Sequence, residues 1–306
     1  MNTLFGVIIP YVAIAIFFLG FLYRIFNWSR TPVPFRIPTT CGQQKSLSWI
    51  KPSYLDNPPT TLHVTGRMIL EIFLFRSLWR NTKTEVKPAK QKLIHSGNKW
   101  LWLFGLLFHI SLLIIVVRHL SRFIEPVPWA LKTLETLDGA FEFAVPTLFI
   151  TDILILLALT YLLLRRIVFP QLRYISLPSD YFALFLLLGS AATGICLRLW
   201  YHTDIVAAKD LAMSVLRFQP DAPDGLSWLF YLHVTMVSVL FAYFPFSKMV
   251  HAGGIFFSPT RNMANNNRVK RHVNPWDYPV EIHTYEEYEE EYRDKMKAAG
   301  LPLEKE

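Results

Sequence analysis

Four of the nine histidines in this sequence sit where an imidazole is costly to keep. His109 and His119 lie inside one long apolar segment. His233 lies inside another, and His251 stands just past that segment's end. A polar ring in hydrocarbon is unfavourable unless something binds it, so an intramembrane histidine is a functional hypothesis from the start. Neutral imidazole is also the standard axial ligand of haem iron. The bland alternative is a core histidine bonded to Ser, Thr or a backbone carbonyl. For any one residue that alternative wins; for four residues in two matched pairs, ligation of two haems is the better reading. His63, His95, His272 and His283 fall in polar connections and read as surface residues. His202, at the end of an apolar segment, is the rival ligand.

The elements that must position these rings are membrane spans. Of the 306 residues, 52% are hydrophobic and 24 are Phe. Apolar runs of about 20 residues, the length that crosses a bilayer, fall at 5–26, 99–124, 143–164, 180–201 and 227–247. The expectation is an all-α integral membrane protein, a five-helix transmembrane bundle with a long loop carrying an amphipathic helix. The net charge of +8 is unevenly placed: 24 of the 31 Lys and Arg lie in 27–99, 165–177 and the chain from 248 onward. Only three lie in the alternate connections 125–142 and 203–226. This is the positive-inside asymmetry. It puts the N-terminus outside, the C-terminus in the cytoplasm and the protein in the cytoplasmic membrane, and it accounts for the basic excess without nucleic acid. The first span has no basic leader and no small-residue cleavage site, and reads as an uncleaved anchor.

With that topology the second and fifth spans run in opposite directions. His119 can then face His233 toward the outside, and His109 can face His251 toward the inside, as helical bundles hold cofactors between facing side chains. The depths match imperfectly. Ten residues of helix rise about 15 Å, whereas the eighteen between His233 and His251 would rise about 27 Å. Pro245 lies between the latter two, where a helix breaks or kinks.

Other features narrow the chemistry. Two cysteines, Cys41 and Cys196, cannot hold an iron–sulfur cluster, and no Cys-x-x-Cys-His is present for covalent haem. Arg118, Arg122 and Arg198 gather at the outer span ends. Arg118 and Arg198 are candidates for haem propionates, with interfacial anchoring as the plain alternative. The small residues Gly189-Ser-Ala-Ala-Thr-Gly194 allow close helix approach. Asp152, expected about ten residues into the third span, is either a proton relay or a satisfied acceptor. Four regions result: a first span 1–26; a cytoplasmic loop 27–98 with an interfacial helix at 61–80; a four-helix di-haem core 99–251; and a cytoplasmic tail 252–306 with a short helix near 284–298. The loop opens with a Pro-rich stretch at 31–38 that cannot be helical.

The run Leu107-Phe-His109-Ile-Ser-Leu-Leu-Ile-Ile-Val-Val-Arg-His119, followed by Glu125-Pro126, resembles the second span of respiratory nitrate reductase gamma subunits. His233 with Phe244-Pro-Phe-Ser-Lys-Met-Val-His251 resembles their last span. The resemblance covers roughly 97–255 and implies the same pairing: His119 and His233 on the outer haem, His109 and His251 on the inner. Outside this core the loop is far longer and the tail differs. There, Thr40-Cys-Gly-Gln-Gln-Lys-Ser-Leu47, the helix from Arg67 to Arg80 and the ending Tyr292-Arg-Asp-Lys-Met-Lys-Ala-Ala-Gly-Leu-Pro resemble the DsrM-type membrane cytochromes b of the sulfite-reduction-associated DsrMKJOP complex. That resemblance implies two haem b, a menaquinone/menaquinol substrate, and a cytoplasmic iron–sulfur subunit similar to heterodisulfide reductase (DsrK-like) as partner. Quinone-site candidates are His119, Arg122, Glu125 and Lys132, all near the outer mouth. The rival readings are a gamma subunit of a nitrate reductase-type complex, and a non-redox membrane anchor or transporter.

Overall fold

The computed structural model describes residues 2–30, 53–80, 82–87, 92–139, 148–265 and 283–304. The Pro-rich stretch at 31–38, Cys41, His272 and the start of the expected third span lie outside them. In chain order, a π-helical turn Leu4–Ile8 leads into α1 (Ile9–Arg30). Then come α2 (Thr61–Leu74), α3 (Arg76–Trp79) and an antiparallel hairpin of β1 (Thr82–Lys87) and β2 (Lys92–Gly97), with Thr82 opposite Gly97. The helices α4 (Lys99–His119), α5 (Trp129–Asp138), α6 (Ile150–Val168), α7 (Pro170–Ile175), α8 (Pro178–Leu199), α9 (Ile205–Leu216) and α10 (Trp228–Tyr243) follow. Short α11 (His251–Gly254) and α12 (Pro259–Asn262) precede α13 (Tyr285–Ala298).

Four described stretches are long and apolar enough to cross a membrane: Leu4–Arg30, Lys99–Arg122, Pro178–Leu199 and Trp228–Phe246. They coincide with four of the five expected spans. The third expected span is α6, which is 19 residues long but carries Asp152, Arg165 and Arg166 and is too charged to join that group. It also starts later than its apolar run suggested, so Asp152 stands in its first turn and not mid-span. There the carboxylate accepts from the Phe149 backbone N–H at 3.3 Å, where an acid favours the exposed N–H groups and the positive helix end. Asp180 does the same at the start of α8, accepting from the Leu177 N–H at 3.1 Å.

The bundle is a chain of neighbours. α4 packs on α6, α6 on α8, α8 on α10, and α10 on α1. Ile155, Leu159 and Leu187 form its buried centre, with Phe108, Leu112 and Leu240 closing over them from α4 and α10. Rings join α1 to the far side of α10: Phe17 meets Phe241 and Phe244 at 5.2 and 5.4 Å between centroids. The opposite face of α1 leaves Leu19, Leu22, Tyr23 and Phe26 exposed, as a lipid-facing surface requires. α4, which carries His109 and His119, and α10, which carries His233, are not packed on each other as the other neighbours are.

The expected single interfacial helix at 61–80 is two helices joined by a left-handed residue, Phe75, at φ 49°. The connection 125–142 contains α5, and 203–226 contains α9, helices that the charge counts had not signalled. The expected tail helix is α13, begun by a reciprocal cap in which the Glu287 N–H donates to the Thr284 hydroxyl and the Thr284 N–H to the Glu287 carboxylate.

Candidate functional site

The four histidines meet in two pairs, one at each end of the seam between α4 and α10. His109 stands midway along α4, and its ring centroid lies 5.9 Å from that of His251, with the planes at 76°. This contact exists because α10 does not continue. It ends at Tyr243, Phe244–Phe246 tightens into a 3-10 turn around Pro245, and Ser247 is extended at φ −110°. A second 3-10 turn, Lys248–Val250, then delivers His251. The interruption removes the depth mismatch that an unbroken helix would impose. Arg24 of α1 satisfies the freed Pro245 carbonyl at 3.0 Å.

At the other end His119 and His233 line one cavity of about 60 Å³, together with Arg118, Asp152, Ser190 and Arg198. The small residues of α8 admit α10 here: a Cβ on Gly194 would stand 3.2 Å from His233 Cε1, and one on Gly189 would overlap Met236.

Each ring is oriented by its Nδ1. His109 reaches the Gly105 carbonyl, His119 the Ile115 carbonyl and His251 the Lys248 carbonyl, each at 2.7 Å. A carbonyl only accepts, so these three Nδ1 atoms carry the proton and Nε2 keeps its lone pair. His233 Nδ1 lies 2.9 Å from the Thr193 hydroxyl, which itself donates to the Gly189 carbonyl at 2.8 Å and so accepts from the ring. This is the arrangement that prepares imidazoles as metal ligands. His109 and His251, adjacent across the broken helix, could hold a metal between them, which would supply one-electron chemistry. No three His, Cys, Asp or Glu converge as a bare-ion site among the described residues. The four rings thus present two pairs of neutral imidazole donors, the ligand type that holds haem iron.

Arg118, 4% exposed, lies 3.2 Å from Asp138 and 3.4 Å from Asp152. Arg198 lies 2.8 Å from Asp152. Both guanidinium groups sit over the Phe149 ring, at 3.6 and 4.1 Å. Asp138 also accepts from the Thr151 N–H and hydroxyl at 3.0 and 2.6 Å. Despite this network, Arg118 Nη1 and Ser190 Oγ are buried without hydrogen-bond partners. Both residues line the cavity, and orphaned donors of this kind call for an acceptor inside it.

The other predicted residues spread out. Arg122 lies in the 3-10 turn after α4; Glu125 pairs with Lys209 of α9; Lys132 is exposed on α5. His202 is exposed beyond α8 and takes no part in the cavity. His63 stacks on Tyr54 at 4.7 Å, and His283 is exposed. Two contributors had no signal of their own in the sequence: Thr193 and Asp138.

Residues 64–272 match the family described as nitrate reductase gamma subunit. Over 289 residues the chain is 46% identical to an Hdr-like menaquinol oxidoreductase cytochrome b-like subunit of Archaeoglobus fulgidus, covering 92% of this chain and 86% of that protein. A protein of the same description from Archaeoglobus profundus is 44% identical over 281 residues, covering 90% and 83%. The respiratory nitrate reductase 1 gamma chain of Escherichia coli is 28% identical over 154 residues, covering 47% and 68%.

Proposed function

This chain belongs to the nitrate reductase gamma subunit family, and from that premise we propose that it is an integral-membrane, di-haem cytochrome b subunit. It carries electrons between menaquinol and a cytoplasmic iron–sulfur subunit of the heterodisulfide reductase (DsrK) kind. His119 and His233 would hold the outer haem, His109 and His251 the inner. When bound, the two haems supply one-electron transfer at two depths of the bilayer. The residues of the chain bind, orient and insulate. Four Nδ1 hydrogen bonds fix the rings with Nε2 free. The orphaned Arg118 Nη1 favours a propionate in the neighbouring cavity, with Arg198 as the second candidate. The observation that carries the reading is the His109–His251 approach across a broken helix.

In this reading α6 is the third of five spans, its Asp152 screened by Arg118 and Arg198 at one end and its two arginines at the cytoplasmic end. The N-terminus is outside and the C-terminus cytoplasmic. The regions 1–26, 27–98, 99–251 and 252–306 are the anchor span, partner-side loop, di-haem core and tail. Menaquinol is oxidised at the outer mouth, where Arg122, Glu125 and Lys132 are candidate contacts beside His119, and its protons leave outward. The relatives described as Hdr-like menaquinol oxidoreductase subunits favour this over a nitrate reductase role. The loop and tail outside the shared core favour the DsrM type of sulfur-metabolism complex.

The test is His119→Ala in the full chain. Haem should fall from two per chain to one, and menaquinol should no longer reduce the haem that remains. Two haems with normal quinol-dependent reduction would overturn the scheme. A pyridine haemochrome of pure wild-type protein without protohaem would favour the non-redox anchor.

A further inference from the structure

Phe75 holds a backbone conformation that its side chain disfavours. At φ 49° and ψ 48° it lies in the left-handed region, which glycine enters freely and a residue with a bulky Cβ substituent does not. Such strain persists only where the surroundings over-determine it, and it points from an outlier toward a function. Here the surroundings do so. Trp102 Nε1 donates to the Leu74 carbonyl at 2.8 Å. The Ser77 N–H donates to the Glu71 carboxylate at 2.9 Å. Arg261 Nη1, ten residues beyond His251, donates to the Ser77 hydroxyl at 2.9 Å.

The elbow between α2 and α3 covers one face of α4 in register. Trp102, Gly105 and His109 are spaced three and four apart, so they share that face. Leu74 bonds Trp102, and Leu78 Cδ2 would touch a Cβ on Gly105 at 3.6 Å. Phe75 sets its ring 4.9 Å from the His109 ring at 87°. Thus the one strained residue of the elbow touches one of the four imidazoles.

We propose that Phe75 is a positioning residue for the inner site: its left-handed backbone aims the ring onto the His109 imidazole, fixing that ring and excluding cytoplasmic water from it, and so raises the inner reduction potential. This rests on the di-haem reading above. The oxidised iron centre carries one more positive charge than the reduced one, and water stabilises the charged state, so the apolar shell and solvent access set the potential.

The experiment is a redox titration of the full chain with its haems bound, comparing wild type with Phe75→Gly and Phe75→Leu. The inner haem is assigned as the component that His251→Ala lacks. Glycine accepts φ 49° without strain, so the elbow persists while the ring is lost. At a fixed potential the reduced-to-oxidised ratio of the inner haem should fall at least tenfold, a 59 mV drop for a one-electron couple. The outer haem should not move, and the melting temperature should not fall. Phe75→Leu should recover most of the shift. An unchanged inner potential in Phe75→Gly overturns the proposal, and so does an equal shift of both haems, which would mark general loosening. If the glycine variant fails to keep haem, Phe75→Asn carries the test. Asparagine tolerates the left-handed region and is polar, so it must lower the inner potential alone, and its failure to do so is equally fatal. A wild-type protein without haem sinks the di-haem reading before any variant is made. Two haems with an inner potential indifferent to residue 75 sink only this proposal.

Discussion

Thr193→Val separates orientation of a ligand from its mere presence. The substitution keeps the side-chain shape but replaces with a methyl group the hydroxyl that accepts from His233 Nδ1 at 2.9 Å. A buried N–H left without its acceptor costs about 1–3 kcal/mol, and loss of an outer-shell partner typically weakens metal binding about 10–100-fold. The Ser190 backbone oxygen is a second acceptor within reach of the same ring, so the effect belongs at the lower end, about tenfold. Loss of the acceptor also makes the imidazole less basic, which stabilises the oxidised iron less and raises the outer potential. The assay is haem per chain in purified protein, followed by a redox titration. Only the outer haem should lose occupancy and shift, because His109 and His251 draw their orientation from Gly105 and Lys248. Thr193→Ser restores the hydroxyl and should restore both readings. Full occupancy with unaltered potentials in the valine variant, or loss confined to the inner haem, would refute the reasoning.

Three further outcomes follow from the same geometry. Asp138→Ala strips buried Arg118 and the Thr151 N–H of a shared acceptor; breaking a buried pair costs about 3–5 kcal/mol, so the thermal midpoint in detergent should drop, and Arg118→Leu added to it should recover part. Gly20→Ala puts a Cβ 2.8 Å from Pro245 Cβ, a rigid ring that cannot swing aside; overpacking of this kind costs about 1–3 kcal/mol, read as a lower melting temperature and altered His251 ligation. Asp56 is held well below the ordinary carboxylate range, first by its hydrogen bond from Arg76 and also by those from Arg80 and Ser53, against an opposing effect of burial. A depressed folded value means the clamp contributes fully above the unfolded carboxylate pKa and is lost as pH falls through the lower, folded value. Hydrogen exchange in 53–59 and α3 should therefore rise only under strongly acid conditions in wild type, and already at neutral pH in Asp56→Asn.

The spans were legible because apolar length is a one-dimensional property. Nothing but a bilayer or a large core accommodates the runs that became α1, α4, α8 and α10, and the four histidines stood out against them. The break after Tyr243 was foreseeable from Pro245, whose ring cannot sit inside a regular helix. α6 was harder, because Phe and Leu residues preceding it extended the apparent run. Asp152 fixes the helix start through a hydrogen bond that composition does not encode.

Residue types and their order along the chain determined that imidazoles fall within or just beyond two long apolar runs, with positive charge gathered on alternate connections. Tertiary structure alone decided which atoms each ring touches. Thr193 reaches His233 across 40 positions, Asp138 reaches Arg118 and Thr151 from a separate helix, and Phe75 reaches His109 only because a left-handed turn redirects the chain. Hydrogen bonds and ring contacts act over a few ångströms in space, whatever the separation in sequence, so no local pattern announces them.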